Sequence, residues 1–582
     1  MDNMSGNYWM QVPETMNGPA LVTFKNTFVA EKETFLDFKW SADERAQIFL
    51  DGEFIVDGPE SGCPEYWYYK DFRRKIAAGE HCLVARVNVM PGDWNYSQLT
   101  IRYGFFCQER SNLLGQWLCR HEQGLEFIVP FPDWANVPRA KVSTDYGKGE
   151  WQPVKMAEDG RELHKPDLPD MLNVQVFPEE IRPGVLHFRE YVCCRTEWRF
   201  QGRGTVRFRW TETPYLDETF DDLNLKGHKG NRDGNCFIGN ADEVQVDGSL
   251  EWNDFQWKAG HYVIVETEGD VSWSAKFFRT NYPLPDFRSK DPLANMAFET
   301  LRACSHETFM DCPFYERLLY AGDSRLEALA LYHISDDHRL AAKTLRMLLM
   351  SQREDGSIQS QYPSRATQFI PSYIPIFMLS FHDYWKLHPD DPLIAELLPR
   401  YRKLVDYVAS HTTAEGCEMP GWQFLDWVDG WKNGVPKGNC AVNIFAALAL
   451  RSAAELLKDG NLLDVAQRLL DTVKRRYYAP EKGGLYADDL EHSSFSEHTQ
   501  ALAILAGLPP SSLDAPGLFQ CSIYFSYYYL SACEKLGRKD LQEKRLDVFR
   551  NLRKEGLTTL PEEFDNPRSD CHAWGAYVML FI

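Results

Sequence analysis

Three segments carry residues whose types and spacing could do acid–base chemistry on a hydroxyl-rich ligand. The densest is Asp311-Cys312-Pro313-Phe314-Tyr315-Glu316-Arg317, continuing to Tyr320-Ala321-Gly322-Asp323. It places three carboxylates and an arginine close together in the chain. Pro313 and Gly322 interrupt any helix, so the segment reads as a shaped loop and not as an amphipathic stripe. Glu316 beside Arg317, with Asp311, Asp323 and two tyrosines nearby, would suit a cluster of sugar hydroxyls and a proton donor. The same composition also suits a solvated polar loop.

The second segment closes the chain: Pro561-Glu562-Glu563-Phe564-Asp565, then Arg568-Ser569-Asp570-Cys571-His572-Ala573-Trp574. A carboxylate pair followed by an imidazole and an indole makes a half-site. Taken singly, His572 reads as a structural histidine and the glutamates as an exposed turn. The third is Gly421-Trp422-Gln423-Phe424-Leu425-Asp426-Trp427-Val428-Asp429-Gly430-Trp431. Tryptophan faces stack on the C–H faces of sugars while carboxylates take hydroxyls, and core packing of a long loop is the alternative. A weaker patch is Glu497-His498-Thr499-Gln500.

The elements that must position these segments change type along the chain. Up to about residue 285, short runs rich in Val, Phe, Thr and Tyr alternate with turn signals, and Asp51-Gly52 between two such runs is a strong hairpin signal. The pattern predicts antiparallel β-sandwiches over 1–170 and 171–285, with the Pro-containing stretch 164–185 as a linker. The run Tyr66-Trp67-Tyr68-Tyr69 would point alternately to two faces, so about half of it should be core. From 286 to 582 apolar residues recur at helical spacing in about eleven segments. Long loops fall at 353–370, 412–440 and 556–572. Helix pairs with such loops at one end predict an α/α toroid, because a solenoid would show a fixed repeat and none is visible.

Composition removes other classes. Over 582 residues, 63 Lys and Arg against 84 Asp and Glu leave a formal net charge of −21, with 44% hydrophobic residues. Such a chain has no electrostatic route to nucleic acid or an anionic membrane. Fourteen cysteines occur without a CxxC pair, so no metal cluster is evident and no cofactor is implied. The N-terminus has no basic region followed by an apolar core, and the stretch Phe369 to Phe381 is too short to span a bilayer. A cytoplasmic location and no membrane or nucleic-acid partner are expected. Homo-oligomer formation is left open.

The segment DCPFYERLLYAGD resembles the DCPxxERxxxxGD signature of glycoside hydrolase family 78, the inverting α-L-rhamnosidases. FLDWVDGW is similar to the DW-containing loop of that family, TTLPEEF with RSDCHAW to its closing TTxxE and histidine segment, and DGEFIVDGPESG to its N-terminal sandwich. The resemblance implies β-sandwich domains followed by an (α/α)6 catalytic toroid and hydrolysis of terminal rhamnose. It makes Glu316 the general acid and Glu562 the general base. Asp311 and Asp323 would bind sugar hydroxyls, with Arg317, Tyr320, Asp426, Trp427, His572 and Trp574 also in the binding site. Tyr320 stands where the family has tryptophan, Phe314-Tyr315 where it has Gln-Arg, and Pro561 where it has tryptophan.

An inverting pair needs a protonated acid at the leaving oxygen and a carboxylate holding water opposite, with carboxyl groups roughly 6.5–9.5 Å apart. Glu316 and Glu562 should therefore face across one pocket, with Glu563 and Glu497 as substitutes for the base. Arg317 is expected to turn toward an aspartate. Rival readings are a toroid enzyme acting on another sugar, such as a uronic acid hydrolase or a disaccharide phosphorylase, and a non-catalytic carbohydrate-binding protein. A phosphorylase would need phosphate-binding residues in place of the base, and a binding protein need not keep both glutamates.

Overall fold

The computed structural model describes residues 7–582, apart from 17, 91–95, 98, 129–137, 215–236, 238, 240, 432, 509–511 and 566. Its first part is two facing sheets. One has the order Lys155–Asp159, Asn7–Gln11, Gly104–Glu109, Thr34–Asp43, Lys70–Ile76. The other runs Gln152–Pro153, Trp117–His121, Ala20–Ala30, Gly79–Val89, Arg45–Leu50, Glu53–Gly58. Alternate residues from both sheets, among them Leu36, Phe38, Trp40, Val22, Phe24 and Ile48, form one core. Leu50 pairs with Glu53 around Asp51 and Gly52, both at positive φ (52° and 83°). That is the two-residue turn an Asp-Gly pair favours.

Where the pattern predicts a second sandwich, the described residues form a single seven-stranded sheet. The reason is one long strand, Val185–Thr211, which bends at register shifts around Cys193 and Cys194. Its two halves pair on opposite sides of Tyr262–Ile264, at 185–187 and at 209–211. Leu125–Ile128 and Arg139–Val142, placed by sequence in the first unit, join this second sheet through Arg139–Val142 and Ala241–Asn253. The expected linker contributes Val174–Val176 and Glu179–Arg182 to it. In the aromatic run, Trp67, Tyr68 and Tyr69 are all buried, more than alternation predicts. Tyr68 packs into the core of the helical domain, which covers the face that would otherwise meet water.

Ten α-helices follow among the described residues: α1 (Pro292–Cys304), α2 (Asp323–Ile334), α3 (Arg339–Met350), α4 (Tyr373–Leu387), α5 (Pro392–Ser410), α6 (Cys440–Leu457), α7 (Gly460–Tyr477), α8 (Glu497–Ala506), α9 (Ser526–Leu536) and α10 (Lys539–Lys554). A closing 3-10 helix spans Ala573–Phe581. Among the described residues α2, α4, α6, α8, α9 and the 3-10 helix pack in succession into an inner ring, which closes where the 3-10 helix meets α2. α7 shows the outer pattern: it buries Leu462, Ala466, Leu469, Leu470 and Val473 as one stripe. α6 is apolar over most of its surface, with Arg451, Ser452 and Glu455 on its one polar side. It is long and apolar enough to cross a membrane, yet it is buried as an inner helix.

Helix starts are set by local chemistry. Asp291 accepts from the Leu293 amide ahead of Pro292, and Asp391 accepts from the Leu393 amide ahead of Pro392, each at 2.8 Å. An aspartate N-cap with proline at the first helical position satisfies orphan amides while presetting φ. The long loops at one end of the ring, 353–372, 411–439 and 555–572, meet the loop 305–322 between α1 and α2.

Candidate active site

The two chemistry-bearing loops are stitched together by main chain. The Ala573 amide donates to the Asp311 carbonyl (2.9 Å), and within the closing loop the His572 amide donates to the Leu560 carbonyl (2.8 Å). The signature loop is also pinned to the loop after α3, through Ala321 to Ser360 (2.8 Å) and Tyr362 to Leu319 (3.1 Å). Gly322 leads into α2 against the Tyr373 ring, where an added Cβ would lie 2.6 Å from ring atoms. The second sheet braces both loops: His261 Nε2 pairs with the Thr558 hydroxyl (2.7 Å), and Glu212 accepts from the Asp570 amide (3.2 Å).

These loops enclose a cavity of about 540 Å³. Asp311, Glu316, Tyr320, Asp323, Trp427, Glu562, His572 and Trp574, all expected from sequence, line it together with Glu563. Trp422 and Phe424 continue the aromatic wall, their rings 5.5 Å apart, with Phe424 4.7 Å from Trp427. Trp431, the third tryptophan of that loop, is buried against His498 instead.

Two expected site residues do not line the cavity. Arg317 takes the left-handed conformation (φ 59°), so its side chain leaves the site. It donates to the carbonyls of Pro313 (2.7 Å) and Trp257 (2.8 Å) and stacks 3.6 Å from the Trp257 ring, and not on an aspartate. Burial lowers it to about 10. Asp426 is fully buried. It accepts from His498 Nε2 and from the Ser522 amide, both at 2.8 Å, so it ties the tryptophan loop to α8 and the start of α9. Glu497, an alternative base by sequence, is held by Arg545 (2.6 Å) away from the cavity.

The lining also holds residues that local sequence did not single out, Tyr96 from the first sandwich, Gln368, Ile370 and Tyr373, together with Arg568, a closing-segment residue to which the resemblance assigns no role. Arg568 lies between the candidate acid and base. Its Nη2 stands 2.6 Å from Glu316 Oε1 and 3.3 Å from Glu562 Oε1. The facing oxygens cannot be further apart than those two distances end to end. The guanidinium occupies the interval between those oxygens. Its contact with Glu316, on the first loop, has no local sequence signal beyond the place of Arg568 in the closing segment.

The remaining partners set the electrostatics. The Tyr320 hydroxyl donates to Glu316 Oε2 (2.7 Å), and Trp574 Nε1 to the Glu562 carbonyl (2.9 Å). Asp311 is pushed up to about 7, first by burial and then by the Glu316 charge. Burial also raises Asp323, against the pull of His572 at 3.3 Å. Burial alone would lower His572, but its bond to Asp323 and the charges of Glu562 and Asp311 hold it above the ordinary value. Burying several carboxyls in one wall disfavours ionising all of them at once.

Asp311, Cys312 and His572 also bring one donor atom each to within 4.8 Å of one another, a set that could take a soft divalent cation. Cys312 and His572 lie too far apart in sequence for spacing to show this. Cys312 uses its thiol to donate to Asp311 Oδ2 (2.8 Å).

Residues 286–516 match the model of the bacterial alpha-L-rhamnosidase six-hairpin glycosidase domain. Among curated proteins none matches. The family 78 rhamnosidase of Bacillus sp. GL1 superposes with a TM-score of 0.86 at 14% identity, covering 100% of this chain and 91% of its own. A Klebsiella oxytoca rhamnosidase with rhamnose bound gives 0.58 at 18% identity, covering 80% and 95%. The Streptomyces avermitilis α-L-rhamnosidase complexed with L-rhamnose gives 0.66 at 16%, covering 97% and 61%.

Proposed function

We propose that the chain, whose residues 286–516 match the bacterial alpha-L-rhamnosidase six-hairpin glycosidase domain, is a glycoside hydrolase of family 78 that cleaves terminal α-L-rhamnosides with inversion. One observation carries the reading: Glu316 and Glu562, from the first and last loops of the ring, meet in one cavity. Glu316 gives its proton to the glycosidic oxygen as the C1–O bond breaks. Glu562 takes a proton from the water that bonds to C1 on the opposite face. Asp311 and Asp323 accept from sugar hydroxyls, and Tyr320, Trp427 and Trp574 pack on the apolar face of the ring.

The wall chemistry supports a neutral sugar. Asp311, Glu316, Asp323, Glu562 and Glu563 face only Arg568 and His572 among charged lining groups of the described residues. A uronate would add an anion to an acidic wall. The rhamnose carried by the structural relatives suits this.

A second reading, retention with Glu562 as nucleophile, has one observation in its favour. A single Arg568 nitrogen touches both carboxylates, so their facing oxygens lie close to one another, as a double-displacement pair requires. NMR of the first-formed product from an aryl α-L-rhamnoside separates the two. The β-anomer first supports inversion, the α-anomer first means retention, and no release from any aryl glycoside removes the hydrolase reading for this site.

A further inference from the structure

We propose that Arg568 is a positioning residue for both carboxylates: its guanidinium sets where Glu316 and Glu562 stand relative to one another and keeps both from repelling. The proposal rests on the acid–base reading above, but its core is geometric. Glu316 follows α1, whereas Glu562 precedes the closing 3-10 helix, so no local backbone geometry sets their distance. Arg568 shares the closing loop with Glu562, and that loop is drawn into a tight hairpin by the Glu562 amide donating to the Ser569 carbonyl (3.0 Å). The guanidinium therefore reaches Glu562 from its own loop and Glu316 across the cavity with a single nitrogen.

The surroundings leave the guanidinium little choice of position. It is buried, with its carbon 5.4 Å from the Tyr315 ring centre, and Tyr315 in turn packs with Cys312 and Phe314 in the signature loop. Other charged and titratable groups facing it are Cys312 and Asp311, both on the far loop. A planar, permanently charged group held this way fixes two carboxyl groups at set angles, which a flexible ammonium does less well. Once Glu316 has given up its proton, two buried carboxylates facing each other without a cation between them would repel strongly. Arg568 removes that repulsion while also occupying the interval between them.

The role predicts effects that simple packing would not. In R568M, kcat/KM on an aryl α-L-rhamnoside should fall about 100-fold, as when reacting groups are misplaced by an ångström. R568K should recover part of the loss. The pH–rate bell of R568K should move to higher pH, because a weaker cation favours the ionised form of both carboxylates less. An activity-independent cycle tests the pairing itself. R568M should lose stability more at pH 8 than at pH 5, and adding E316Q should restore part of that loss. A purely structural arginine gives additive losses and an unmoved bell, and that result would overturn the proposal. If the wild-type protein proves inactive on all glycosides, the stability cycle still decides whether Arg568 couples the two carboxylates.

Discussion

The carbonyl of Asp311 accepts the amide of Ala573 at 2.9 Å, which joins the first loop of the helical ring to the last. Through this bond the side chains of Asp311 and His572 come to share one wall, with Asp323 bridging to His572 at 3.3 Å. The geometry of the candidate site thus depends on closure of the ring.

Removing the acid and the base should give different signatures. E316Q is expected to slow substrates with poor leaving groups by about 10²–10⁴-fold while sparing activated aryl glycosides, which need little protonation. E562Q should slow both classes alike. Steady-state kinetics on an aryl and an alkyl rhamnoside check this. If E563Q abolishes turnover and E562Q does not, Glu563, which also lines the cavity, is the base.

Y320F isolates the hydroxyl that donates to Glu316 Oε2 at 2.7 Å. A hydrogen bond to a charged group contributes about 1.5–3 kcal/mol, so kcat/KM should drop by about 10–100-fold with the ring still present to stack. Unchanged kinetics would mean that the Tyr320 hydroxyl does not hold the acid.

Asp426 should behave as a structural anion. D426A leaves His498 and the Ser522 amide facing an empty acceptor in the core, and breaking a buried pair in this way costs about 3–5 kcal/mol. Urea unfolding of D426A and D426N checks it, with the asparagine variant losing less. Full stability with lost sugar affinity would instead return Asp426 to the binding role that its motif suggests.

Stability should depend on pH through Asp311. Its folded value, raised from 3.8 to about 7, means that the native state keeps a proton which the unfolded chain has already lost. The associated stability is complete below the unfolded value and disappears as pH rises through about 7. D311N lacks this term, so its stability relative to wild type should increase between about pH 5 and pH 8. Parallel unfolding midpoints across that range would show that Asp311 is not the group titrating.

The amino-acid sequence by itself determined the kinds of element and the loops that bear chemistry. Period-two alternation and Asp51-Gly52 specify the hairpins, while helical spacing with Asp-Pro starts at Asp291 and Asp391 specifies the helices. These are short-range effects, decided by neighbours within a few residues. The signature loop and the closing loop were legible for the same reason, since Pro313, Gly322 and Pro561 break helices wherever they fall. Which side chains face the cavity was decided only by tertiary structure. Arg317 turns outward because its own φ is positive and the second sheet offers carbonyls, and Asp426 sinks beneath the floor because α8 brings His498 to it. Tyr96 reaches the cavity from a different domain, and Arg568 meets Glu316 only once the ring has closed. Sequence spacing carries no information on such contacts, because burial and charge pairing between distant segments exist only after the chain has packed.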